Sequence, residues 1–189
     1  MDIWRDPTQG WWLSVGLGGA YPLDDESPAY TRTTARGTAY WPLTRGRKPL
    51  VLVTAFALAH YDRATPVYLW EYLGNAWVRG YQVAPLDNPA PVQALLETIN
   101  VATTRLELQK PLIPRQLWQD IELGVTGALF ADVGWGYGPA RPLRSAIPVY
   151  GYGAVFRIFL PAVNVVMLEL GANPYVHKPV FRLRIIPNF

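Results

Sequence analysis

A chain of 189 residues, of which 50% are hydrophobic, 16% charged and 13% aromatic, is long enough to fold as one domain spanning residues 1–189. Its net charge of +3 includes no run of Lys and Arg long enough to make a nucleic-acid stripe, which excludes nucleic acid as a partner. The lack of any Cys excludes a disulfide frame, thiol chemistry and thiolate metal sites.

No apolar run reaches the roughly 18 residues of a membrane helix. Leu50 to Ala59 is too short, and Ala154 to Gly171 is broken by Arg157, Pro161, Asn164 and Glu169. The first residues have neither a basic n-region nor an apolar h-region. Met1 is therefore expected to stand where a secretory signal was removed.

Period-2 alternation predicts about eight strands. In the first, Trp11, Leu13, Val15, Leu17 and Tyr21 share one face, and Ser14, Gly16 and Gly18 the other. After a polar loop at Asp24 to Pro28, Arg32, Thr34, Arg36 and Thr38 alternate with Thr33, Ala35, Gly37, Ala39 and Trp41. The third segment sets Leu52, Phe56 and Leu58 against Val53, Ala55, Ala57 and Ala59. With both faces apolar, it reads as a buried strand or a short helix. Residues 62–95 then form the longest stretch without periodicity, and a loop of that length in an all-β chain is functional or disordered.

The fourth strand opposes Thr103, Arg105 and Glu107 to Ala102, Thr104, Leu106 and Leu108, and is expected to turn at Pro111 to Pro114. In the fifth, Ile121, Leu123, Val125, Leu129, Val133 and Trp135 are odd, whereas Glu122, Gly124, Thr126, Ala128 and Asp132 are even, a separation that only a strand achieves. The sixth opposes Tyr150, Tyr152, Phe156 and Ile158 to Gly151, Gly153 and Arg157. The seventh opposes Val166, Leu168 and Leu170 to Met167 and Glu169. The last opposes Phe181, Leu183 and Ile185 to Arg182 and Arg184.

Large apolar residues on one face and small or charged ones on the other is the patterning of a barrel with a polar inside and a lipid-facing outside. A Lys or Arg on the lipid face at mid-depth costs roughly 2–4 kcal/mol, and none lies on these apolar faces. Trp11, Tyr21, Tyr40, Trp41, Tyr61, Trp118, Trp135, Tyr150 and Phe189 fall near strand ends, as a membrane-interface girdle requires. The fold class is all-β: a transmembrane antiparallel barrel of about eight strands. With periplasmic termini, Asp24 to Pro28, residues 62–95, Gly138 to Ser145 and Asn173 to Lys178 are external.

Val78-Arg79-Gly80-Tyr81 lies in the long loop, with carboxylates in the strands that follow. Arg79 is expected to fold inward and anchor the loop to one of them. The remaining inward charges, Arg105, Glu122, Arg157, Glu169, Arg182 and Arg184 together with Arg32 and Arg36, are nearly balanced and read as a structural ion network. Pro187 removes a ladder donor where the last strand should meet the first, the mark of a weak seam.

With these residues in hand, the sequence resembles the C-terminal barrel of the BamA-like outer-membrane assembly factors and their two-partner secretion relatives. The resemblance rests on Val78-Arg79-Gly80-Tyr81, on Leu106-Glu107-Leu108 before a Pro-containing turn, on Phe130-Ala131-Asp132-Val133-Gly134, on Gly151 to Arg157, and on the terminal Phe189. It covers nearly the whole chain, reduced to about eight strands and without the family's periplasmic repeats. The resemblance implies that Arg79 pairs with Asp132 and that Glu107 fills the second acidic position. Hairpin counting about Pro114 sets Glu107 opposite the region of Glu122, so Arg79 is expected to bond Asp132 or Glu107, not both.

The resemblance implies a non-enzymatic role in inserting or assembling outer-membrane proteins in a Gram-negative outer membrane. The partners would be the lipid bilayer and unfolded client barrels, and the chain would act as a monomer or a homodimer. Eight strands with a folded-in loop leave no conduit. The rivals are a structural or lipid-organising barrel and a lipid-modifying enzyme. The enzyme reading is poorly supported: His60 and His177 lie near loops, and neither a serine elbow nor HExxH spacing occurs. No cofactor and no metal are expected. Gly16 to Gly19 and Gly134 to Gly138 lack a following helix and read as places where the wall curves and the loop comes close.

Overall fold

The computed structural model describes residues 8–21, 29–62, 70–82, 88–118, 121–139, 141–160 and 164–187. The chain opens with β1 (Gly10–Ala20), β2 (Tyr30–Pro42) and β3 (Val51–Tyr61). An excursion follows, made of β4 (Glu71–Tyr72), a π-helical turn at Leu73–Trp77, α1 (Ala90–Leu96) and β5 (Glu97–Thr98). The wall resumes with β6 (Asn100–Trp118), β7 (Ile121–Tyr137), β8 (Pro148–Phe159), β9 (Asn164–Asn173) and β10 (Val176–Pro187).

Eight strands form one antiparallel sheet in the order β1-β2-β3-β6-β7-β8-β9-β10, while β4 and β5 pair separately. The whole excursion thus leaves and re-enters the wall between neighbouring strands. The fold is a transmembrane antiparallel β-barrel with a long external loop folded into its lumen. No described helix is long and apolar enough to cross a membrane, so crossing falls to the strands. Each wall strand has the roughly 9–11 residues that a tilted crossing needs.

The registers explain the alternation. Arg36 pairs with Ala57 on the inner face and Gly37 with Phe56 on the outer. Asp132 pairs with Gly151 inside, and Val133 with Tyr150 outside. Outer side chains stay bare: Leu17 is 81% exposed and Leu129 64%. Surfaces this apolar are favourable only against hydrocarbon, where the ladders satisfy the backbone. Leu129→Arg is accordingly expected to cost roughly 2–4 kcal/mol, measured as a lower urea midpoint for unfolding from lipid vesicles.

The ambiguous third segment is a strand, with Val51, Val53, Ala59 and Tyr61 buried inside and Phe56 outside. Two expectations fail at the girdle. Tyr40 faces inward opposite Val53, and Tyr61 is buried inside against the Tyr30 ring, with centroids 5.7 Å apart. Trp11, Tyr21, Trp41 and Tyr150 remain on the outer surface. Phe189 and the loop at Asp24 to Pro28 lie outside the described residues.

The expected turn at Pro111 to Pro114 is also wrong. Both prolines lie inside β6, which runs on to Trp118. Register shifts between Pro111 and Ile113 and between Ile113 and Gln116 absorb the missing N–H donors as bulges. The hairpin therefore reverses after Trp118, which brings Glu107 opposite Phe130 and Arg105 opposite Asp132.

The lumen is not polar throughout. Leu73, Val78, Tyr81 and Leu96 of the excursion are fully buried against Ala59, Val101 and Val149 of the wall. Val92 and Leu96, four apart on α1, share its buried face. Pro89 caps α1 and Pro91 lies in its first turn, where the absent N–H costs nothing. The excursion brings its own apolar core and seats it in the barrel.

Candidate functional site in the barrel lumen

Arg79 reaches the lumen because the backbone on either side of it lies flat against the wall. Gly80 has a φ of +94°, a conformation that favours glycine. A Cβ on Gly80 would lie 2.5 Å from the Ala172 carbonyl oxygen, and one on Gly171 would lie 2.7 Å from the Gly80 Cα. One on Gly134 would lie 2.5 Å from Val78 Cγ2, and one on Gly151 would collide with the Arg79 carbonyl oxygen. Three adjacent strands thus present glycine where Val78-Arg79-Gly80 passes.

The guanidinium makes three charged hydrogen bonds. Nε donates to Asp132 Oδ2 at 2.8 Å and Nη2 to Asp132 Oδ1 at 2.7 Å, a side-on bidentate pair. Nη1 donates to Glu107 Oε2 at 2.8 Å. The Arg79 backbone N–H also donates to Asp132 Oδ2, at 3.0 Å. The expectation of one carboxylate or the other is therefore overturned. Glu107 and Asp132 are diagonal neighbours across the β6–β7 ladder, about 7–8 Å apart at the backbone, and one guanidinium spans them.

Arg157 Nη2 holds the far oxygen of Glu107 at 2.6 Å, so two arginines and two carboxylates balance. The Arg79 Cζ sits 3.8 Å from the Phe130 ring centroid, adding a cation–π contact. The Asp132 side chain is wholly buried. Such a pair is tolerable only because nearly every lone pair facing inward has a donor.

The flanking loop residues are fixed by direct bonds. Tyr81 Oη donates to the Tyr150 carbonyl at 2.8 Å, and Asn173 Nδ2 to the Gly80 carbonyl at 2.7 Å. Asn173 Oδ1 in turn accepts from the Tyr175 and Val176 backbone N–H groups, closing the β9–β10 turn. Burial, and then the neighbouring Tyr150, push the Tyr175 hydroxyl up, so it stays a donor, to the Pro148 carbonyl.

The remaining inward charges lie around the clasp on the inner rows of the wall strands. Arg157 joins the Arg79 clasp. Arg182 stands opposite Glu169 on the β9–β10 ladder, with Nη1 3.4 Å from Glu169 Oε1. Arg105 donates through Nε and Nη2 to the Trp77 carbonyl, which ties it to the loop. Arg184 is on the inner row of β10, opposite Met167. Arg32 pairs with Glu71 of β4, and Arg36 lies over the Trp77 ring. The backbone of Glu122 is in β7, but its side chain lies outside the described residues. Pro187 ends β10 opposite Asn164.

Sequence reasoning missed Phe130 as a ring partner, Asn173, and the Glu71–Trp77 pair, in which the indole Nε1 donates to Glu71 Oε2 at 3.1 Å. Phe130 alternates with Asp132 on one inner row, so its place was readable once Asp132 was chosen. Asn173 and Glu71 carry no local signal, because long-range register alone sets their partners.

The clasp binds and positions; its carboxylates are occupied by guanidinium groups, which leaves little capacity for acid–base work or metal binding. Among the described residues no three His, Asp or Glu side chains gather into a metal-holding group. No curated protein and no solved structure gives a significant match to this chain. Residues 3–166, however, match the family model described as the Omp85 superfamily domain, and that span carries the Arg79 loop and both of its carboxylate partners. The chain belongs to the Omp85 superfamily, whose members are outer-membrane barrels of the protein-assembly and secretion type.

Proposed function

We propose that this barrel is a non-enzymatic assembly factor that helps other outer-membrane proteins insert into the bilayer, acting as a monomer or homodimer without an open pore. The observation that carries this reading is the state of β1. Both its faces are exposed, the inward-pointing Trp12 and Ser14 as well as the outward Leu13 and Leu17. Among the described residues β1 and β10 each have one ladder neighbour. A first strand whose edge pairs weakly with the last is a place where a client's strand can add. The loop anchored across the lumen favours action at the wall over passage through the interior.

The test is refolding of a second outer-membrane barrel from urea into liposomes. Vesicles carrying this chain are expected to speed client folding relative to vesicles carrying an unrelated eight-stranded barrel. Equal rates would return the protein to a structural or lipid-organising role, and hydrolysis or acyl transfer on the vesicle lipid would make it an enzyme.

A further inference from the structure

Between the loop and the β1–β3 side of the wall lies a cavity of about 390 Å³, lined by Trp12, Arg32, Arg36, Glu71, Trp77 and Arg105. Its size falls within the roughly 300–1,000 Å³ typical of ligand sites. Three guanidinium groups and one carboxylate face it, and all of them gather on Trp77. The indole ring lies 5.4 Å from the Arg36 Cζ, its carbonyl accepts from Arg105, and its Nε1–H donates to Glu71, which holds Arg32. The Arg36 Cζ lies over the Trp77 ring, and its guanidinium lines the cavity. Arg32 Nε is buried with no acceptor.

Trp12, Ala55 and Ala57 line the same cavity beside these charges, with Ala57 directly across the β2–β3 ladder from Arg36. Trp12 points inward from β1 and remains 39% exposed, so apolar surface is open beside the guanidinium groups. Guanidinium groups beside open apolar surface suit a ligand that carries both an anionic group and a greasy part.

We infer that this cavity binds a phosphate-bearing amphiphile, its phosphate held by Arg36 and Arg32 and its tail against Trp12. A phosphate carries enough acceptor oxygens to engage two guanidinium groups at once, which a single carboxylate already engaged by Arg32 does not. The two phosphate-binding arginines, Arg32 and Arg36, belong to β2 and take no part in the Arg79 clasp, and the inference does not rest on the assembly role.

The probe is dihexanoyl phosphatidic acid, titrated into the full chain in maltoside micelles and read by isothermal titration calorimetry. Saturable binding is expected, weakened by about tenfold or more in the Arg32→Gln/Arg36→Gln variant, the loss expected on removing a charged hydrogen bond. Glu71→Gln, which removes the carboxylate and keeps every arginine, is expected to tighten binding. Opposite signs in the two variants cannot come from misfolding. Inorganic phosphate in a parallel titration separates the sources of the group: weak binding supports the amphiphile, and binding as tight as the lipid's overturns it. Unaltered lipid affinity in the double arginine variant, or no saturable binding by the wild type, would overturn the site altogether.

Discussion

Arg79→Ala is expected to free the segment around residues 70–82 from the lumen and to cost about 3–5 kcal/mol of stability, the usual penalty for stripping one partner from a buried ion pair. Two carboxylates lose a donor at once. Glu107 retains Arg157, but both Asp132 oxygens lose their guanidinium partner in a side chain with no access to water. The backbone bond from Arg79 to Asp132 does not survive if the loop lifts, and the Phe130 ring is left facing a void.

Limited proteolysis of residues 62–95 and urea unfolding from micelles would each read the change. Arg79→Lys should recover only part of the loss, because an ammonium cannot reproduce a side-on pair and a third bond in one plane. Arg79→Ala combined with Asp132→Asn should be less destabilising than the sum of the two, since the unpaired charge disappears with its partner. An unchanged cleavage pattern in Arg79→Ala would mean that the apolar core of Leu73, Val78 and Tyr81 holds the loop unaided.

The wall was legible in the sequence because lipid imposes a simple rule on it. Outward residues are mostly apolar, so the period-2 pattern of segments such as Ile121 to Trp135 survives without interruption, and the inner row, Asp132 included, falls on the remaining positions. The loop's anchor was legible because Val78-Arg79-Gly80-Tyr81 resembles the loop motif of the BamA-like family, and Glu107 and Asp132 fall on the inner rows of the strands that follow. What the sequence concealed was set by backbone geometry. Pro111 and Pro114 looked like a turn, but bulges let β6 carry them, and the hairpin shifted several residues toward the C-terminus. That displacement alone makes Glu107 and Asp132 neighbours and converts an apparent choice of partner into a shared one. Tyr40 and Tyr61 were misplaced because an aromatic near a strand end serves a girdle or a lumen equally well, and parity, not residue type, decides.

Gly151→Val is expected to displace the loop as completely as the loss of Arg79 does, at a comparable cost of about 3–5 kcal/mol, although it removes no interaction. The added Cβ would occupy the place of the Arg79 carbonyl oxygen. Both atoms belong to backbone or its first substituent, so no rotamer change relieves the clash. Valine suits a strand, and Gly151 pairs with Asp132 across an ordinary ladder step, so the wall should stay folded in the membrane. Heat-modifiable mobility on a gel would read the wall, while protease access to residues 62–95 would read the loop. Gly18→Val is the matched control: Gly18 also lies on the inner face, on β1, but a Cβ there meets nothing within 4 Å, and the change should be nearly silent. Arg79→Ala and Gly151→Val should also fail to add, because whichever comes first has already expelled the segment that the second would disturb. Full additivity would show that the guanidinium clasp and the glycine floor stabilise the barrel separately, and that the loop is not seated as one unit.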